Sequence, residues 1–254
     1  MRDLMGREND RMNGTLVYVM GPSGSGKDSL MAYARRRMNS AYTLTWNASA
    51  APRQGLRPVI FVRRHITRQA NAGGERHHPI TREEFQSCRN RGRFALSWES
   101  HGLCYGIGGE MNLHLAKGAV AVVNGSREYL PEAIKNYPEL VPVLISATPE
   151  VLRKRLEKRG RETAPDIGER LLSATMPMPE IPNLIRLDNS GTLEEAGEFF
   201  ADFLTCLRYP SMPEAKAAED EALRESEVSC YRNPMAADVR HSAGTFFDMV
   251  LSFL

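Results

Sequence analysis

The chain has 254 residues, with 33 Lys and Arg against 31 Asp and Glu, enough for one α/β domain with additions. The near balance of charge excludes a global nucleic-acid signature, and no apolar run reaches the ~18 residues of a membrane span. The N-terminus lacks the apolar core of a secretory signal, and the four cysteines (Cys88, Cys104, Cys206, Cys230) have no metal or redox spacing. Together these features predict a cytoplasmic protein whose cysteines are packing residues.

In chain order, residues 1–14 are a polar lead-in. The apolar run at 15–20 reads as a buried strand, and 28–38 as a helix. Between them stands Gly-Pro-Ser-Gly-Ser-Gly-Lys-Asp, residues 21–28. This is a phosphate-binding loop with one altered letter, since the position after the lysine normally carries Ser or Thr. Gly21, Gly24 and Gly26 let the backbone turn its N–H groups inward. Ser23 and Ser25 lie in the same loop, and the following helix adds its positive end. Lys27 is expected to reach the β/γ-phosphates of a nucleoside triphosphate. A hydroxyl at position 28 would ligate Mg²⁺. The carboxylate of Asp28 is also a hard oxygen ligand, which makes it a candidate metal ligand. Alternatively Asp28 caps the helix, or Ser29 takes over the hydroxyl role.

Residues 39–58, rich in Ala, Ser and Pro, read as a surface excursion. Val59–Val62 has the pattern of a buried strand. Residues 67–108 are rich in Arg, Gly and His, with a short extended stretch at Phe94–Trp98. Then helices and strands alternate: helix 110–116, strand 119–123, helix 128–136, strand 140–146. A helix opens at Pro149, where proline is tolerated, and runs to about Lys158. An arginine-studded stretch, 159–170, precedes a last strand at 183–187 and an amphipathic helix at 192–207. This alternation predicts an α/β fold with a parallel sheet flanked by helices. Residues 209–254 change character. An Ala/Glu-rich helix and an apolar end suggest an appendage that packs on the domain or on a partner chain, and a homo-oligomer is left open.

Two basic clusters stand out. Residues 63–93 hold eight arginines, no lysine and three glutamates, with His65, His77 and His78. Guanidinium forks match phosphate geometry, so this region is expected to bind an anionic acceptor through two or three of them. Arg63 and Arg64 adjoin a strand and point to opposite faces, so at most one should matter. The second cluster, Arg153 to Arg170, has the composition of a segment that closes over a triphosphate and excludes water.

The loop, Ile66-Thr67-Arg68, Gly74-Glu75, Cys104-Tyr105-Gly106 and the Arg155–Arg161 and Arg170-Leu171 stretches resemble the guanylate kinases, in order and spacing, over residues 15–208. The resemblance implies a P-loop nucleoside-monophosphate-kinase-like core, an acceptor subdomain at about 67–108 and a short lid at about 159–166. It implies acceptor-phosphate contacts by Thr67, Arg68 and Tyr105, and catalytic contacts to the transferring phosphoryl group by Lys27, Arg159 and Arg170. The departures matter more. Where guanylate kinases read the base with acidic and hydroxyl side chains, this chain has Leu96, Ile107 and Ser126. It has Thr81 for a phosphate-gripping tyrosine, Asn71 for an arginine, and Asn124 for the aspartate ending a core strand. A site that must accept guanine N–H donors should keep its acceptors, which makes guanine a poor candidate.

With Gly-Lys-Asp-Ser-Leu at 26–30, Leu96-Ser97-Trp98, His101-Gly102-Leu103, Val123–Arg127 and Arg159–Glu162, the chain is similar to the ribose 1,5-bisphosphate phosphokinases of bacterial phosphonate catabolism. That resemblance implies ATP and Mg²⁺ as cofactors, a phosphorylated sugar as the acceptor, 5-phosphoribosyl 1-diphosphate and ADP as products, and neither nucleic acid nor membrane as a partner. It places Asn124 and Ser126 at the sugar, with Trp98 either beside them or in the core. His77, Arg76 and Arg127 are candidates for the distal phosphate. The alternatives are a nucleotide kinase of altered base preference and a non-catalytic binding module.

Overall fold

β1 (Thr15–Met20) lies at the centre of a five-stranded sheet of order β2-β7-β1-β8-β9. The sheet's other strands are β2 (Val59–Phe61), β7 (Val120–Asn124), β8 (Val141–Ser146) and β9 (Ile185–Asp188), and every pairing is parallel. The computed structural model describes residues 14–45, 56–69, 75–160, 163–176 and 178–209. Within these limits the expected α/β fold is present, with helices on both faces of a parallel sheet. The readings of the 1–13 lead-in, of residues 46–55, and of the tail from 210 fall outside the described residues.

The central strands read as continuous apolar runs because both faces are covered. Period-two alternation then divides their side chains between two cores. Val17, Val19, Val122, Val143 and Ile145 face α1 (Lys27–Thr45) and α7 (Leu193–Cys206). Leu16, Tyr18, Met20, Ala121 and Val123 face the other way, onto Leu96, Trp98, Ile107, Met111 and Leu115. α1 and α7 approach closely at Gly197, where an added Cβ would lie 2.5 Å from the Tyr33 ring. There Tyr33 donates to Glu198 at 2.6 Å, and Arg37 reaches the same carboxylate.

The second core includes one face of a smaller sheet, of order β4-β3-β6-β5, built from β3 (Arg64–Ile66), β4 (His78–Pro79), β5 (Phe94–Ser100) and β6 (Leu103–Gly108). This sheet and α2 (Arg82–Asn90) take up most of the 67–108 stretch. α3 (Glu110–Ala116) and α4 (Leu130–Asn136) complete that side. α5 (Pro149–Arg159) and α6 (Ala164–Thr175) form a third apolar cluster through Leu152, Leu156, Ile167 and Leu171.

Three expectations require correction. The first helix continues to Thr45 rather than ending near Met38, so the surface excursion does not begin at 39. No Gly or Pro interrupts 29–45, and Asn39 and Ser40 are only weak helix formers, not breakers. The arginine-studded 159–170 stretch is largely α6, started by a capping box in which Thr163 and Asp166 satisfy each other's backbone N–H groups. The same device, Thr81 with Glu84, starts α2 inside a region read only as basic and extended.

Candidate active site

The loop between β1 and α1 is held from several directions. Gly26 has φ +89°, and a Cβ there would lie 2.3 Å from Asn189 Nδ2. Asn189, buried just after β9, donates to the Ser25 carbonyl at 2.7 Å. The position needs glycine both for its backbone and for that close approach. Lys27 donates to the carbonyls of Gly21 and Pro22, at 2.7 and 3.0 Å. Burial pulls its pKa down to about 8, against the opposing charge of Asp28. From α5, Arg155 Nη1 reaches the Ser25 carbonyl at 3.5 Å. From α6, Arg170 donates to the Ser23 hydroxyl. The structure therefore brings Ser23, Ser25, Lys27 and Arg170 together at one loop. Arg159, the last residue of α5, is exposed, as is Ser29.

Asp28 does not cap the helix, which begins one residue earlier at Lys27. Its carboxylate instead accepts from Asn124 Nδ2 at 2.7 Å, at the end of β7. The same amide nitrogen donates to Glu75 at 2.8 Å. Two carboxylates facing one amide fix its orientation, because only the NH₂ end can serve both. Asn124 Oδ1 is buried and has no hydrogen-bond partner among the described residues. Glu75 in turn pairs with Arg64 at 2.6 Å, both side chains being largely withdrawn from solvent. The chain Asp28–Asn124–Glu75–Arg64 thus links the phosphate loop to the smaller sheet.

Arg64 also opens a row of flat groups. Its guanidinium lies 4.9 Å from the Tyr105 ring and 5.9 Å from that of Trp98. Trp98 stacks on Tyr105 at 5.5 Å, with an interplanar angle of 9°, and on Tyr129 at 5.4 Å. Arg68 lies on the same side of the subdomain. His77 braces it, reaching the Arg68 carbonyl at 3.0 Å, while Arg68 Nε is buried without a partner among the described residues. Thr67 spends its hydroxyl on the sheet, accepting from the Cys104 N–H at 2.9 Å. Ser126 is anchored by its backbone, which both donates to and accepts from the Tyr18 hydroxyl. Arg127 donates to the Ser173 carbonyl and hydroxyl, tying the loop after β7 to α6.

Of the eight arginines at 63–93, Arg64 and Arg68 turn inward and the other six are exposed. Arg82, for one, pairs with Glu99 at the surface. Sequence reasoning assigned no role to Glu75, Arg155 or Asn189. Glu75 stands in the Gly74-Glu75 motif, but nothing local in the sequence ties it to Asn124 or Arg64. Asn189 carries no local signal, because only the folding of β9 beside the loop brings it there.

A parallel sheet with a glycine-rich loop leading from its central strand into a helix, and with cations converging on that loop, defines a P-loop phosphotransferase. The fold is that of the guanylate kinases: the enzyme from Anaplasma phagocytophilum superposes with a TM-score of 0.50 at 17% identity, over 85% of this chain and 95% of that one. The ribose 1,5-bisphosphate phosphokinase PhnN of Desulfomicrobium baculatum is 51% identical over 189 residues, 74% of this chain and 93% of its own length. That of Thiobacillus denitrificans is 46% identical over 192 residues, 76% of this chain and 93% of its own. The chain belongs to the ribose 1,5-bisphosphate phosphokinase family. No protein-family model matches it. Among the described residues no helix is long and apolar enough to cross a membrane, and Cys88, Cys104 and Cys206 form no disulfide.

Proposed function

We propose that this protein transfers the terminal phosphoryl group of ATP to the C1 phosphate of ribose 1,5-bisphosphate, releasing ADP and 5-phosphoribosyl 1-diphosphate. The observation that carries the reading is the pairing of an intact phosphate loop with an acceptor wall of Arg64, Arg68 and Tyr105 that presents cations and aromatic faces. A phosphate monoester is largely dianionic at neutral pH, its second pKa being ~6. The nucleophile therefore arrives already deprotonated, and the barrier is the meeting of two polyanions.

The residues divide that task. The loop amides and Lys27 hold the β- and γ-phosphates. Arg170, and Arg159 on closure, neutralise the group in transit. Arg68, with its unpartnered Nε, and Tyr105 hold the attacking phosphate. Thr67 positions them through the sheet, and Asn124 and Ser126 border the sugar. Arg76 is exposed and His77 is committed to Arg68, which leaves Arg127 as the better candidate for the distal phosphate.

The corner formed by Asp28, Glu75 and Asn124 fits Mg²⁺. It offers two carboxylates, which are hard oxygen ligands, with the Asn124 amide nitrogen bonded to both. Among the described residues no group of three or more His, Cys, Asp or Glu could hold an ion. A two-carboxylate corner suits a cation that keeps water and substrate phosphates as its other ligands. When bound, Mg²⁺ offsets the charge of the β- and γ-phosphates. Asp28 and Glu75 would hold it, and Asn124 keeps the two carboxylates apart and oriented.

The test is ADP release from ATP with a panel of acceptors: ribose 1,5-bisphosphate, ribose 5-phosphate and the nucleoside monophosphates. Release driven by ribose 1,5-bisphosphate supports the reading. Turnover of GMP with none of the sugar bisphosphate sinks it.

A further inference from the structure

We propose that Trp98, backed by Tyr129, is a specificity-determining residue that shuts nucleobases out of the acceptor site by taking their place in the aromatic row. The proposal rests on the reading above only for the acceptor being a ribose phosphate. A nucleoside monophosphate and ribose 1,5-bisphosphate share that part and differ in one C1 substituent, a flat heterocycle in the first and a tetrahedral phosphate in the second. A site for the flat ring needs two things: an aromatic or guanidinium face left free for stacking, and polar partners for the ring's edge.

This wall supplies neither. The indole of Trp98, itself a flat bicycle of nearly purine size, is 7% exposed. It uses the faces of Tyr105 and Tyr129 for its own stacking, at 5.5 and 5.4 Å, with Arg64 at 5.9 Å. Leu96 and Ile107, on the same face of the same two strands, are closed from water at 1% and 0% exposure, and they are apolar. A base entering here would have to displace a packed indole and would then meet hydrocarbon. A phosphate needs no stacking face, and the cations it would use, Arg64 and Arg68, lie near Tyr105. The indole thus acts as a built-in occupant that leaves room for the sugar alone.

The experiment compares binding of AMP and of ribose 5-phosphate, which differ at C1 alone (adenine against hydroxyl), to the full-length protein with its ATP site filled by a non-hydrolysable ATP analogue, by isothermal titration calorimetry. Wild type, Trp98→Gly and Tyr129→Ala are compared, with circular dichroism to establish folding. In wild type AMP should bind at least tenfold more weakly than ribose 5-phosphate. Trp98→Gly should raise the affinity for AMP relative to ribose 5-phosphate at least tenfold, since it frees the Tyr105 and Tyr129 faces for a stacked ring. Tyr129→Ala, at a half-buried position that folding tolerates better, should shift the ratio the same way by a smaller factor. AMP binding wild type as tightly as ribose 5-phosphate overturns the proposal without any variant. An unchanged ratio in whichever variant folds overturns it as well. A shifted ratio in a protein whose wild type does not phosphorylate ribose 1,5-bisphosphate leaves base exclusion standing and refutes the kinase reading.

Discussion

Replacing Asn124 by leucine keeps the number and branching of the side-chain heavy atoms and removes the single amide that both Asp28 and Glu75 accept from. The amide sits at 2% exposure, with its two bonds at 2.7 and 2.8 Å. A hydrogen bond to a charged group contributes about 1.5–3 kcal/mol. Both carboxylates are partly open to water, which favours the low end of that range. Their mutual repulsion, no longer relieved by a shared donor, adds to the loss. The expected destabilisation without metal is therefore about 2–4 kcal/mol, or a melting temperature lower by roughly 5–12 °C for a domain of this size. A cation between the carboxylates replaces the missing donor, so Mg²⁺ with ATP should recover more of the melting temperature in Asn124→Leu than it adds to wild type. The assay is a thermal melt of both proteins with and without Mg²⁺ and ATP. A variant that melts within ~1 °C of wild type and gains no more than wild type from Mg²⁺ would refute the corner as described.

Further expectations concern the loop and the lid. Lys27 is held near pKa 8 by burial, and bound triphosphate should raise it again. At pH 8.5 ATP binding should then take up about three-quarters of a proton, measured by calorimetry in buffers of different ionisation enthalpy, and Lys27→Ala should abolish the uptake. The same shift has a definite sign for stability. Between about 8 and 10.5 the unfolded chain holds a proton that the folded chain lacks, so stability of the nucleotide-free protein should rise with pH across that window. Denaturant midpoints that fall over this range more steeply in wild type than in Lys27→Met would contradict it. Gly26→Ala should lose ATP binding and about 1–3 kcal/mol of stability through strain at φ +89° and collision with Asn189, read by calorimetry and urea unfolding. Arg170→Ala should lower kcat about 10²–10³-fold while changing the KM for the sugar bisphosphate much less, since Arg170 meets the loop rather than the acceptor sheet.

The core was legible because its strands and helices carry two distinct periods, and because the loop motif names its own structural context. Capping boxes at Thr81–Glu84 and Thr163–Asp166 were also present in the sequence. There the flanking arginines carry the stronger compositional signal, which points to a basic, irregular stretch rather than to α2 and α6. The candidate site was legible where a motif is local, as at residues 21–28. It was not where partners meet through folding: Asn189 lies 164 residues from Ser25, and Glu75 lies 49 from Asn124. Asp28 shows the limit most clearly. As a letter it allowed capping, metal ligation or a hydroxyl role passed to Ser29, and only the position of Asn124 at the end of β7 shows what the carboxylate touches.

The central claim is tested most directly by following the phosphorus itself. The protein, ATP, Mg²⁺ and ribose 1,5-bisphosphate are combined and observed by phosphorus NMR. The account predicts loss of the C1 monophosphate signal, appearance of a coupled diphosphate pair on the sugar, and ADP in equal amount. ATP consumed to ADP and inorganic phosphate with the sugar bisphosphate untouched would contradict it.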